Sequence, residues 1–329
     1  MRGALPCVLR LAVLCSALLQ AACAHTGSSG SEALSYLKAA EQGDAKAQYR
    51  LGVLYARGQG VPQDFADYLK AAEQGVATAQ FNLGVLYHYG QGVQDFAEAR
   101  KWYLKAAEQG VAEAQYNLGV LYDSGQGGPQ DFVEARKWYL KAAEQGEAGA
   151  QLNLGVLYAN GQGVPQDYVE ARSWYLKAAE QGEAGAQYNL GVLYDGGQGV
   201  PQDFAQAREW YLKAAEQGVA SAQSNLGVLY KNGRGGPQDF AEARKWYLKA
   251  AEQGHAKAQS NLGVMYARGE GVQQDYKLAY AWFHVAAAHG DETTRHNRDV
   301  AGAQLDPASL AEAQKLSEQY YRSFVQPFQ

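Results

Sequence analysis

One stretch, VAEAQYNLGVLYDSGQGGPQDFVEARKWYLKAAEQG at residues 111–146, recurs in nearly the same words along the chain, and nothing else limits the possible folds as tightly. Its central glycine falls at Gly52, Gly84, Gly119, Gly155, Gly191, Gly227 and Gly263, at intervals of 32, 35 and then four times 36 residues. A period in this range marks a stack of supersecondary units, none of which buries its own apolar face alone. The repeats run 44–75, 76–110, 111–146, 147–182, 183–218, 219–254 and 255–290.

Each unit reads as two helices. Ala114, Leu118 and Tyr122 stand four apart, with Gln115 and Gly119 beside them, so the first helix has an apolar face with small residues where a neighbour comes close. Phe132, Ala135, Trp138, Tyr139, Ala142 and Ala143 follow the spacing of an amphipathic second helix. No alternation of period two suggests a strand. Gly125 and Gly127 end the first helix and turn the chain, and Asp131 is placed to cap the second, with Glu134 reaching back to complete a capping box. The expected class is all-α, a right-handed α/α solenoid of helical hairpin repeats.

The words AEAQYNLGVLY, GQGGPQD and EARKWYLKAAEQG resemble the Sel1-like repeat family, relatives of the tetratricopeptide repeat with a turn lengthened by a GxGVxxD element. Similar words cover residues 32–290, about four fifths of the chain. The resemblance implies a scaffold that binds a protein or peptide partner and does no chemistry of its own. Some cysteine-rich relatives have been linked to penicillin binding or lactamase-like activity. Here the repeats contain no cysteine and the chain has no SxxK pair, so cell-wall carbohydrate binding or hydrolysis stands only as the alternative.

The ends differ from the repeats. Residues 1–24 carry Arg2 and Arg10, a short apolar run from Leu11 to Leu19, and small residues at Ala21, Ala22 and Ala24, as an export signal does. The only cysteines are Cys7, Cys15 and Cys23, and an Ala-Ala-Cys ending before the polar segment 25–31 resembles a bacterial lipoprotein signal with Cys23 as the acylated residue. Gln20 departs from that pattern, and a soluble periplasmic or secreted product is the alternative. The expected location is therefore the bacterial envelope, at a membrane through a lipid anchor. Residues 32–43 reproduce the end of a second helix and read as an N-terminal cap, while two helices near 292–304 and 308–323 close the other end within residues 291–329.

Loss of Arg2 and Arg10 takes Lys+Arg from 29 to 27 against 34 acids, moving the formal charge from −5 to −7, which argues against a nucleic-acid surface. The six histidines show no metal-ligand spacing, and nothing calls for a cofactor. The six tryptophans, Trp102, Trp138, Trp174, Trp210, Trp246 and Trp282, are one repeated position and read as packing. Two other columns are candidates for contact with a partner. Asn82, Asn117, Asn153, Asn189, Asn225 and Asn261 form one, read either as bonds to the adjacent repeat or as a ladder facing a ligand. The residue after each Ala-Gln pair forms the other: Tyr49, Phe81, Tyr116, Leu152, Tyr188, Ser224 and Ser260. It lies about 200° around the helix from the packed alanine, and two readings stay open, packing against a neighbouring repeat or display on a concave face.

Overall fold

The computed structural model describes residues 72–89, 94–288 and 292–328. Expectations for the export signal, Cys23, the linker, the cap at 32–43, Tyr49 and repeat 44–75 up to residue 71 lie outside the described residues. Among those described there are fourteen α-helices and no strand. First and second helices alternate as α1 (Ala77–Tyr89), α2 (Phe96–Glu108), α3 (Ala112–Ser124), α4 (Phe132–Glu144), α5 (Ala148–Asn160) and α6 (Tyr168–Glu180). The series continues with α7 (Ala184–Gly196), α8 (Phe204–Glu216), α9 (Ala220–Asn232), α10 (Phe240–Glu252), α11 (Ala256–Arg268) and α12 (Tyr276–Ala287). The last two are α13 (Glu292–Gly302) and α14 (Pro307–Phe324). This is the all-α solenoid class, in which hairpin packs on hairpin.

Two compact units divide the chain, one of residues 1–150 with 162–164, the other of 151–161 with 165–329. In the first, α1 pairs with α2, α3 with α4, and α2 packs on α3. In the second, α7–α8, α9–α10 and α11–α12 are hairpins, joined through α6–α7, α8–α9 and α10–α11 contacts, and α12 carries both α13 and α14.

The local reasons are the same in each repeat. Gly125 adopts φ 71° and ends α3 with its N–H on the Leu121 carbonyl, a left-handed conformation that costs glycine least. Gly127 has a second reason to be glycine, because a Cβ there would collide with the backbone of Phe96. The loop is then closed by a side chain: Gln130 Nε2 donates to the Asp123 carbonyl at 2.6 Å, as Gln202 does to Asp195 at 2.7 Å. Asp131 caps α4 by accepting from Val133 N and Glu134 N.

The reciprocal half of the capping box is a correction. The Asp131 N–H already donates to the Tyr122 carbonyl at 2.9 Å, so no amide is left for Glu134, which pairs with Lys137 at 3.0 Å instead. Likewise Glu170 accepts from Trp174 Nε1 at 3.1 Å, and Glu242 meets Lys245 at 2.9 Å.

Packing is by interdigitation of large and small. A Cβ on Gly119 would stand 2.5 Å from Tyr139 Cδ1, so the ring of α4 occupies the space that the missing side chain of α3 leaves. Ala114, Leu118, Leu121, Ala135, Tyr139 and Ala142 are fully buried. Trp138 joins the cluster of Ala99, Tyr103, Ala106, Leu118 and Leu121, sealing one repeat to the one before, with Lys141 Nζ 4.3 Å from its ring centre.

A second device crosses each seam. Buried Gln115 donates from Nε2 to the Ala107 carbonyl of α2 at 3.0 Å and accepts at Oε1 from Gln145 at 2.7 Å. Gln223 repeats it with Ala215 at 3.0 Å and Gln253 at 2.8 Å. A buried amide with both ends satisfied fixes one register between hairpins, because a slipped one would leave it unpaired.

At the C-terminal end α13 and α14 begin near the expected positions. Asp306 caps α14, and Pro307 sits in its first turn rather than opening the preceding turn. Tyr320 and Phe324 lie 4.6 and 5.7 Å from Trp282, covering the ring that a further repeat would otherwise cover.

Candidate interaction surface

The seam takes Ala114, Gln115, Leu118, Gly119 and Leu121 from α3. That leaves Tyr116, Val120 and Asp123, spaced by four and three residues, on one side of the helix. In the first unit Phe81 and Tyr116 are half-buried, tilted against Tyr103 and Tyr139 with ring centres 5.9 and 6.1 Å apart. Tyr116 also leans on the start of α5, where a Cβ on Gly149 would lie 3.1 Å from its Cζ. In the second unit Tyr188 lies 5.9 Å from Tyr211, and Leu152 sits so close to Gly185 that a Cβ there would be 2.9 Å from Cδ2. Each bulky residue of this column thus has one side packed, two of them against a glycine of the following first helix, and part of its surface in solvent. Ser224 departs from the pattern at 3% exposure, and Ser260 shares a hydrogen bond with Thr294 at 3.3 Å.

Of the asparagines, Asn117 is hydrogen-bonded to the Tyr103 hydroxyl and Asn225 to that of Tyr211, each reaching back to the preceding second helix. Asn153 and Asn189 are half-buried.

Hydroxyls and their partners line the far end of these first helices, and the motif did not announce them. Tyr139 donates to Asp123 Oδ2 at 3.1 Å, Tyr211 to Asp195 Oδ2 at 3.3 Å, and the Tyr103 hydroxyl lies 3.4 Å from His88 Nδ1. Burial pushes the Tyr103, Tyr211 and Tyr247 phenols well above their ordinary range, so they stay protonated. Burial also lowers His88, which stacks on Tyr89 at 4.2 Å, and raises Asp123 despite the hydroxyl it accepts. The findable signal was Asp123 and Asp195 each standing sixteen residues before a buried tyrosine.

In α9 the same position is Lys231, and the arrangement changes. Lys231 turns to Glu270 at 2.9 Å, Arg268 lies 3.4 Å from the other Glu270 oxygen, and the Tyr247 hydroxyl has no hydrogen-bond partner among the described residues. α13, expected only as a closing helix, is a remnant of a first helix: His296, Asn297 and Val300 stand 36 residues after Ser260, Asn261 and Val264. Such surfaces bury apolar edges and exchange hydrogen bonds. Among the described residues no group of three or more His, Cys, Asp or Glu could hold a metal ion, and no helix is long and apolar enough to cross a membrane.

Comparison with known proteins gives consistent relatives. The pattern of the Sel1 repeat matches at residues 36–44, 45–76, 77–111, 112–147, 148–183, 184–219, 220–255 and 256–291. Among solved structures, a Sel1 repeat protein from Oxalobacter formigenes is 40% identical over 65% of this chain and 86% of its own, with a TM-score of 0.59. A protective antigen present in uropathogenic Escherichia coli strains, displaying an SLR fold, is 33% identical over 89% of this chain and 87% of its own, with a TM-score of 0.33. A search of curated proteins finds no match.

Proposed function

The chain belongs to the Sel1 repeat family, whose members are generally non-catalytic and mediate protein–protein interaction, and from that premise we propose an interaction scaffold or adaptor of the bacterial envelope. It recognises a peptide or protein segment on the side of the first helices that the seam leaves open. The observation that carries this reading is the column Phe81, Tyr116, Leu152 and Tyr188, where the repeat keeps its backbone and core but changes the one residue half in solvent. Large side chains anchored on one side and partly exposed on the other have little entropy left to lose on binding, as anchor residues require.

Attachment at a membrane through Cys23, after export, rests on the leader: two alanines before the cysteine and a polar tether after it. Two or three acyl chains give firm anchorage, where one gives marginal binding. The test is in-cell crosslinking followed by recovery of the full-length protein and mass spectrometry, with wild type, Tyr116→Ala, Tyr188→Ala and Cys23→Ser compared. A specific envelope protein that crosslinks to wild type and is lost in the tyrosine variants at equal protein level supports the reading. A partner recovered equally by all three folded forms moves the binding surface elsewhere. Cys23→Ser distinguishes the anchor by release from the membrane fraction and loss of label from a palmitate analogue.

A further inference from the structure

Resting on the reading of the first helices as a peptide-binding surface, we propose that the face formed by α9 and α11 receives an acidic, extended peptide segment. The chain as a whole is acidic, with a formal charge of −5, yet neither of these helices contains an acid. Their charged residues are Lys231, Lys257 and Arg268. Those positions correspond to Asp123, Glu113 and Ser124 of α3, so two of the three have changed sign and the third has gained a charge.

The cations share a side. Lys257, Ser260, Val264 and Arg268 follow one another by three, four and four residues along α11, and Ser224, Val228 and Lys231 by four and three along α9. Ser224 and Ser260 stand where Tyr116 stands in α3, so the wall of rings is replaced by small hydroxylated side chains and a backbone can come close. Lys257 and Arg268 are exposed, and Lys257 makes no ion pair with a described residue. Eleven residues of helix separate them by about 16 Å. An extended peptide covers that distance in about five residues.

The protein itself shows that a carboxylate fits between neighbouring first helices here. Glu270 receives Lys231 of α9 at 2.9 Å and Arg268 of α11 at 3.4 Å. The Lys231–Glu270 pair is largely shielded from water, at 18% and 20% side-chain exposure, whereas Arg268 is 69% exposed and keeps donors for a second acceptor. An incoming acidic segment would run from Lys257 along Ser260 to Arg268, with Glu270 setting one edge of the site.

Fluorescence anisotropy on the full chain tests this with three short fluorescein-labelled peptides, of alternating Glu and Ser, Gln and Ser, and Lys and Ser. The Glu peptide should bind, and more weakly as salt rises. Joint K257E and R268E should weaken it by roughly tenfold. The same two charge reversals on the second helices, K101E with K137E, should leave it within about twofold. E270Q, which frees Lys231 and Arg268, should tighten it. Equal binding of the Gln peptide, or an equal loss in the second-helix control, would overturn the proposal. Binding of the Gln or Lys peptide that Tyr188→Ala abolishes would overturn it and leave the scaffold reading standing. No binding by any of the three would count against both.

Discussion

Repeats 111–146 and 255–290 share a skeleton and differ on one face. Ala114, Leu118, Gly119 and Trp138 in the first are matched in the last by Ala258, Leu262, Gly263 and Trp282, each pair with the same residue in the same place. Leu121 becomes Met265 and Tyr139 becomes Phe283, still buried. Off the seam, Glu113, Tyr116, Asp123 and Ser124 become Lys257, Ser260, Ala267 and Arg268. Stability and recognition are therefore carried by different positions of the same helix. A chain built this way can change what it recognises one repeat at a time without renegotiating how the hairpins stack.

The division is broken first, if it can be broken, at the tryptophans. Trp138→Ala and Trp282→Ala should each cost roughly 3 to 5 kcal/mol in urea unfolding, because both rings are almost fully buried. Equal losses would mean that Tyr320 and Phe324 replace a neighbouring repeat at the C-terminal end. A much smaller loss at Trp282 would show that the terminal helices cover it without supporting it. Next come the glycines. A methyl on Gly119 would meet Tyr139 at 2.5 Å, and one on Gly263 would meet Phe283 at 2.7 Å. Each Gly→Ala change should destabilise by about 1 to 3 kcal/mol, since a ring held on both sides has nowhere to go. Unchanged urea midpoints would show that the two helices can part at no cost.

How much of this was legible in the sequence divides along the same line. Period, helix pairing, glycine turns and the aspartate caps could be read because each repeats a local rule seven times over. The capping box could not, because the competitor for the Asp131 amide is a carbonyl nine residues back, Tyr122, whose reach depends on the loop. The glutamine pairs were visible as letters but not as partners: Gln115 and Gln145 are thirty residues apart and meet only when the hairpin closes. The candidate column was legible as variable, while its posture was not. Periodicity gives the direction of Tyr116, but its contact with Gly149 belongs to the next repeat.

That column gives a sharper test of smaller size. Tyr116→Ala should cost about 1 to 2 kcal/mol, below the range for a fully buried ring, because part of the side chain is already in water. Its counterpart Ser260→Ala loses one hydrogen bond to Thr294 and should cost about 1 kcal/mol or less. A loss above about 3 kcal/mol at Tyr116 would place the residue with the core in energetic terms and remove it as an anchor.

The smallest effect expected is at Asp123, and its sign separates the two faces most cleanly. Burial raises its carboxyl above the usual value of 3.8, while the Tyr139 hydroxyl offsets only part of that. The folded state therefore holds its proton more tightly than the unfolded chain. Between 3.8 and the raised value it binds more protons, so stability falls as pH rises through that window and the deficit remains at neutral pH. Asp123→Asn keeps an oxygen for the Tyr139 hydroxyl and removes the charge. It should raise the urea midpoint at pH 7 slightly, by well under about 1 kcal/mol for a group that water still reaches. Below about pH 3.5, where the carboxyl is protonated in both states, the variant and the wild type should be alike. Repeat 255–290 has Ala267 at this position and no such term. If the substitution lowers stability at pH 7, the charged aspartate is a favourable partner of Tyr139 and belongs to the structural half of the repeat. If it raises stability, the acid is kept at some cost to folding, and the face it lies on is the place to look for what it serves.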